Sequence, residues 1–219
     1  KLLLFVAPSI VMMVFTSVYS VVDGLFVSNV VGSEAVAAIT RIFPIIIVLG
    51  SIGFMIGAGG SALVSKTMGE GDRERANSYF SFLVYITLAI GVVIAVAGQF
   101  AVPSIARLLG AKGKTYEYCV LYGRVLLGAQ PFFILQNIFQ SFFVAAEKPT
   151  LGLIVTAAAG VTNIVLDAVL IIGFRFGLAG AAAATAASQV LGGVVPIIYF
   201  SLKNTSLLRL TKTKFYGRA

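Results

Sequence analysis

Asn163 and Asp167 stand one helical turn apart inside an otherwise apolar stretch, GVTNIVLDAVLIIG, that begins at Gly160. The i, i+4 spacing puts an amide and a carboxylate on one face of a helix, where they can share one partner or one ion. A second aspartate, Asp23, follows Tyr19 at i−4 and Ser20 at i−3, so a phenol and a hydroxyl are placed to hydrogen-bond its carboxyl group. An aspartate at the centre of a membrane helix costs about 3 kcal/mol on insertion scales, and it is kept where it faces a wet cavity or a counter-charge. No Lys or Arg is expected within a span to supply that charge. The chemistry that remains is uptake of a cation. A carboxyl group takes H+, or carboxylate, amide and hydroxyl oxygens together hold Na+, and occupancy is coupled to a change of shape.

Other polar residues fit the same picture less tightly. Thr185, in GAAAATAASQ, has a hydroxyl that ligates an ion or bonds back to the carbonyl at i−4, the commoner use on sequence alone. Gln136 and Gln140 share a helical face, as do Gln130 and Asn137 less closely. These four either line a cavity or bond other helices, and the sequence leaves both open. The plainer reading of Asn163 is a hydrogen bond to a neighbouring helix. For Asp23 it is a position near enough to the helix end to reach headgroups.

Membrane helices must position these groups. Of 219 residues, 59% are hydrophobic and 11% charged, with no His and no Trp, where soluble domains carry about 25% charged residues. Mean hydropathy is +1.02. Charges divide the chain into six long apolar runs: Leu2 to Val22, Ile42 to Ser65, Ala76 to Ala106, Val125 to Ala146, Pro149 to Arg175 interrupted only by Asp167, and Phe176 to Leu202. Each suffices for a span of roughly 20 residues. The expected fold is an all-α membrane protein, a six-helix bundle over 1–202, with a basic connecting segment over 203–219. The third run exceeds one upright span, so Pro103 is expected to end it, with 105–109 lying at the interface. The first run lacks the pattern of a cleavable signal peptide, and the start at Lys1 without Met, directly before a span, reads as a trimmed amino end.

Basic residues set the orientation. Lys1, Lys66, Arg73, Arg75, Lys148, Lys203, Arg209, Lys212, Lys214 and Arg218 fall on one side, and Arg41, Arg107, Lys112, Lys114, Arg124 and Arg175 on the other. Ten against six predicts both ends in the cytoplasm of a multi-pass cell-membrane protein. Asp23 and Asp167 then lie late in outward-running helices, at matched depth in the outer half of the bilayer. The net charge of +8 sits in short loops between apolar runs, which points to lipid and away from nucleic acid.

Competing chemistries lack their residues. An intramembrane aspartyl protease needs an adjacent carboxyl dyad, and Asp167 stands in IVLDA with no glycine beside it. The single Cys119 excludes an internal disulfide or multi-cysteine metal site, and the lack of His weakens a metal enzyme. No cofactor is expected. GEGDRERA from Gly69 lacks the third glycine and preceding strand of a dinucleotide loop and reads as a charged turn. A structural membrane subunit would need neither aspartate.

Four stretches together, SVYSVVDGLFVSNVVGSEAVAA, GAGGSALVSKTMGEGDRERAN, VAAEKPTLG and TNIVLDAVLIIGFRFGLAGAAAATAASQ, resemble the multidrug and toxic compound extrusion (MATE) transporters. The resemblance runs in order along essentially the whole chain. It implies one lobe, the amino-terminal one, of a twelve-helix antiporter that exports amphipathic, often cationic compounds in exchange for H+ or Na+. It also implies a second six-helix lobe as partner, and a cation site at Asp23, Asn163, Asp167 and Thr185, with Tyr19 and Gln136 as companions; Ser20 and Gln140 are further candidates to line the cavity from their positions in the sequence alone. A flippase of lipid-linked oligosaccharides, from the wider superfamily, is the alternative.

Overall fold

Charged residues mark where the chain leaves the apolar layer, but they do not end its helices. The computed structural model describes residues 2–202 and 205–211, without the side chains of residues 2–6, 8, 9, 13, 19, 20 and 23. Among the described residues seven α-helices follow one another: α1 (Leu2–Phe26), α2 (Ser33–Gly69), α3 (Arg73–Leu108), α4 (Gly113–Gly128), α5 (Gln130–Ala145), α6 (Pro149–Asp167) and α7 (Leu178–Ser201). Both α1 and α6 run on into π-helical turns, Val27–Val31 and Ala168–Gly173. Helices α2, α3, α6 with its π turn, and α7 are long and apolar enough to cross a membrane, and α4 with α5 makes one further bent path. With the 25-residue α1, six paths result, as the apolar runs predict. At 37 residues, α2 is about 55 Å long and overruns the bilayer, so Arg41 sits within its helix, exposed.

Two expectations about helix ends are corrected. Helix α3 does not stop at Pro103 but continues to Leu108. A proline removes one intrahelical hydrogen bond, and here the flanking residues are held from outside: Val102 packs with Tyr122, Leu126 and Leu127, and Ala106 with Cys119. The fourth run is not one helix from Val125. It begins at Gly113 and breaks at Ala129, where α4 and α5 meet at a bend of 53°. Pro131, in the first turn of α5, has no N–H to continue the ladder of α4. Gly91 of α3 receives the kink; a Cβ there would lie 2.6 Å from the Cα of Pro131.

Glycines of α2 and α7 form close-packing surfaces. Gly53 and Gly57 of α2 seat Ile134, Asn137, Ile138 and Ser141 of α5, and Gly193 of α7 seats Phe132. Gly59, by contrast, faces open space. Across the α2–α5 seam two amides donate to backbone carbonyls of α2, Gln130 Nε2 to Ile46 O at 3.1 Å and Asn137 Nδ2 to Gly50 O at 3.2 Å. The open question about these residues is thereby answered: they join helices. The GEGDRERA turn is a helix start, with the Asp72 side chain accepting from Arg75 N at 2.9 Å.

Apolar packing gathers at the two ends of the bundle. One core joins Val27, Ile42, Ile46, Val102, Tyr122, Leu126, Ile171 and Ala182. The other joins Val64, Phe80, Val84, Leu135, Phe139, Phe142, Val155 and Phe200. Between them, on four helices, lie the buried polar residues Thr87, Gln130, Asn137, Thr156, Asn163, Asp167, Ser188 and Gln189. Apolar side chains such as Val93, Val96 and Phe100 of α3 and Val161, Val165 and Ile172 of α6 and its π turn point outward. The bundle is thus greasy at its surface and polar at mid-height, the arrangement of a membrane protein with an internal site.

Part of the connecting segment is packed onto the lobe. Arg209 N donates to Asn77 Oδ1 at 2.8 Å, Thr211 N to Ser81 Oγ at 2.8 Å, and Leu210 N to Phe200 O at 2.8 Å. Leu208 is fully buried beside Phe80, Phe139 and Phe200. Leu208→Ala removes that plug, and the expected loss is about 2–5 kcal/mol of stability, the range for buried Leu→Ala changes. Thermal unfolding of the purified protein in detergent, compared with the exposed Leu202→Ala control, checks it.

Candidate functional site

Three helices carry the residues expected to bind the cation, and they are neighbours. Helix α6 lies between α1 and α7 and packs extensively on each. Asp23 is on α1, Asn163 and Asp167 on α6, and Thr185 on α7. The side chains of Tyr19, Ser20 and Asp23 lie outside the described residues.

Asn163 and Thr185, 22 residues apart in sequence, meet across the α6–α7 boundary. Asn163 Nδ2 approaches Thr185 Oγ1 at 3.5 Å, and that hydroxyl donates to Ala181 O at 3.0 Å. Thr185 therefore makes the back-bond expected of it, and with its oxygen still accepting it also faces Asn163. Asn163 is 1% exposed and Asp167 0%. The Asn163 Oδ1 atom is buried with no hydrogen-bond partner among the described residues. An oxygen so placed costs about 1–3 kcal/mol unless something donates to it or binds it.

Local backbone explains where Asp167 sits. It is the last residue of the α-helical part of α6, and the π turn begins at Ala168. Such turns recur at functional sites because they re-aim side chains and loosen the carbonyl ladder. The π turn of α1 begins four residues after Asp23, so both aspartates precede the same irregularity at the same end of the bundle. Gly180 lets α7 press on this turn: a Cβ there would lie 3.1 Å from the Leu170 carbonyl carbon. A left-handed Arg175, φ 57°, and Gly177, φ 56°, close the connection between the two helices.

The remaining sequence candidates are on α5. The Gln136 side chain lies over Gly192 of α7, where a Cβ would stand 2.6 Å from Gln136 Cδ and 2.8 Å from its Oε1. Gln140, one turn further along α5, is half-buried. An open concavity of about 980 Å³ lies elsewhere, lined by Ser61, Ser65, Arg73, Ser141, Glu147 and Leu207 among others. None of the candidate residues lines it. The group that reading by apolar runs passes over is Gln189. It is 7% exposed, its Oε1 has no partner among the described residues, and its signal was its position one turn after Thr185.

A family model described as MatE matches residues 8–169. The chain belongs to the MATE family. It is 33% identical over 200 residues to the multidrug export protein MepA of Staphylococcus saprophyticus, a match covering 91% of this chain and 44% of that protein. It is also similar to a structure described as the outward-facing conformation of a multidrug resistance MATE family transporter of the MOP superfamily, at TM-score 0.85 and 28% identity, covering 94% of this chain and 45% of the other. A structure described as the inward-facing conformation of such a transporter matches at TM-score 0.82 and 27% identity, covering 88% and 44%. This MATE chain thus spans less than half the length of the relatives it matches, and it is a multi-pass membrane protein of a multidrug efflux family.

Proposed function

We propose that this MATE chain is the cation-binding amino-terminal lobe of an antiporter that exports amphipathic, cationic compounds in exchange for H+ or Na+. The observation that carries the reading is the meeting of Asn163 and Thr185 beside fully buried Asp167. Carboxylate, amide and hydroxyl oxygens in one dry neighbourhood suit a small monovalent cation, which here is cargo. Protonating Asp167, or placing Na+ against it, changes the charge of a fully buried carboxyl group and so biases how α6 packs against α1 and α7.

The reading places both ends in the cytoplasm of a cell-membrane protein, with Asp23 completing the site from α1. A second six-helix lobe faces this one, and the exported compound lies between the two among apolar walls, with Gln136 and Gln140 at its margin. Similarity of this one lobe to both an outward-facing and an inward-facing structure, at TM-scores of 0.85 and 0.82, supports a lobe that moves as a unit. The test is efflux of ethidium, a cationic dye, by the full-length transporter. Loss of export in Asp23→Asn and in Asp167→Asn supports the proposal; wild-type rates in both, with unchanged pH and Na+ dependence, sink it.

A further inference from the structure

The site as proposed ends at Thr185, but the face of α7 that carries Thr185 does not. Gln189 and Gly192 follow at i+4 and i+7 and so continue that face. Gln189 is 93% enclosed by its 7% exposure, and Gln136 of α5 lies against Gly192. Two amide oxygens in the polar mid-layer, Asn163 Oδ1 on α6 and Gln189 Oε1 on α7, are buried without a hydrogen-bond partner among the described residues. They flank Thr185. Gln130 Oε1 on α5 is likewise unpartnered among the described residues, but the NH2 groups of Asn137 and Gln130 donate to α2 carbonyls, which gives those two residues a role as helix joints that Gln189 lacks.

We propose that Gln189 is a ligand-contacting residue of this cavity, its Oε1 taking a cationic group that lies inward of Asp167. Two facts favour this over packing. A glutamine kept only to fill space leaves an acceptor costing about 1–3 kcal/mol that leucine would not. And the position joins two groups otherwise separate, the α6 pair Asn163 and Asp167 and the α5 amide of Gln136. Gln189 lies one turn, about 5.4 Å, along α7 from Thr185, a step that a partly hydrated cation or a ligand's ammonium group can bridge. The inference rests on the proposed antiport reading. The shared chemistry is a positive charge or an N–H or O–H donor, from either the coupling ion or the exported compound.

The experiment replaces Gln189 in the full-length transporter by Leu, which keeps bulk and removes the oxygen, and by Glu, which restores an acceptor. Gln189→Met serves as a second apolar variant should the Leu form fail to fold. Half-saturating concentrations of Na+, H+ and ethidium for transport are measured, together with Na+-induced thermal stabilisation of the purified protein. About a tenfold rise for Na+ or H+ in the apolar variant, reversed in the Glu form, assigns Gln189 to the ion. The same rise for ethidium alone assigns it to the exported compound. Unchanged half-saturation for all three, with only a shift in melting temperature, overturns the inference. Asp167→Asn is run alongside: if it too is unaffected, the antiport reading has failed, and if it alone is inactive, only the role of Gln189 has.

Discussion

Asp167→Asn is expected to abolish ion-coupled export while leaving the lobe folded. Asparagine has nearly the same shape, so the packing of α6 between α1 and α7 survives. What it removes is the charge. Asp167 is 0% exposed, and Asn163 and Thr185, which meet one turn away, supply only neutral oxygens. An interaction with a charged group is worth about 1.5–3 kcal/mol, which corresponds to about a 10- to 100-fold rise in the half-saturating concentration of the driving ion. The asparagine form also cannot change protonation, so any remaining dye movement should be insensitive to pH, and to Na+ over the concentration range that drives the wild type. Transport by the full-length protein in vesicles, with Na+ varied at fixed pH and then pH varied without Na+, checks this and separates the two ions. A variant that keeps the wild-type dependence on both would remove Asp167 from the coupling site.

Gly53→Ala should cost more than its single added carbon suggests, because α2 and α5 form the most extensive helix contact in the bundle. A Cβ at Gly53 overlaps the carbonyl oxygen of Ile134 and lies 3.0 Å from Asn137 Cβ. The obstacle is backbone, so a rotamer change does not relieve it. Helix α5 must move, and Asn137, whose amide donates to Gly50 O at 3.2 Å, moves with it. Overpacking of this kind costs about 1–3 kcal/mol, and stranding the buried amide adds about 1–3 kcal/mol more. The matched control is Gly59→Ala on the same helix, where a Cβ meets nothing within 4 Å. There the substitution should be neutral or stabilise by up to about 1 kcal/mol through helix propensity. Thermal unfolding of both variants in detergent reads the contrast; equal melting temperatures would contradict the seam as described.

Several departures from the sequence reading share one cause. Using charge to delimit helices placed the start of the fourth run at Val125, because Arg124 is charged, and hid an amphipathic half that begins at Gly113. The break itself had a local signal in GAQP, where Pro131 denies the ladder an N–H. Pro103 carried the same signal, yet the helix continues through it. Local sequence offers the same proline in both places, and the packing around it decides between a kink and a continuous helix. The connecting segment is similar. Its alternating leucines and basic residues suggest a surface strand of chain, whereas burial of Leu208 depends on Phe80, Phe139 and Phe200 arriving from three helices.

The sequence by itself determined that this is a helical membrane protein, because apolar runs of this length have few other ways to satisfy their backbone in lipid. It also determined that Asn163 and Asp167 share a face, since helical periodicity is a local property. Which distant residues meet is not local. The approach of Thr185 to Asn163, the use of Gln130 and Asn137 to join helices, and the enclosure of Gln189 depend on how α5, α6 and α7 dock. Docking is set by small residues, Gly180, Gly192 and Gly193 among them, whose effect is to let a particular neighbour come close. A glycine in the sequence permits an approach, and only the tertiary structure names what approaches.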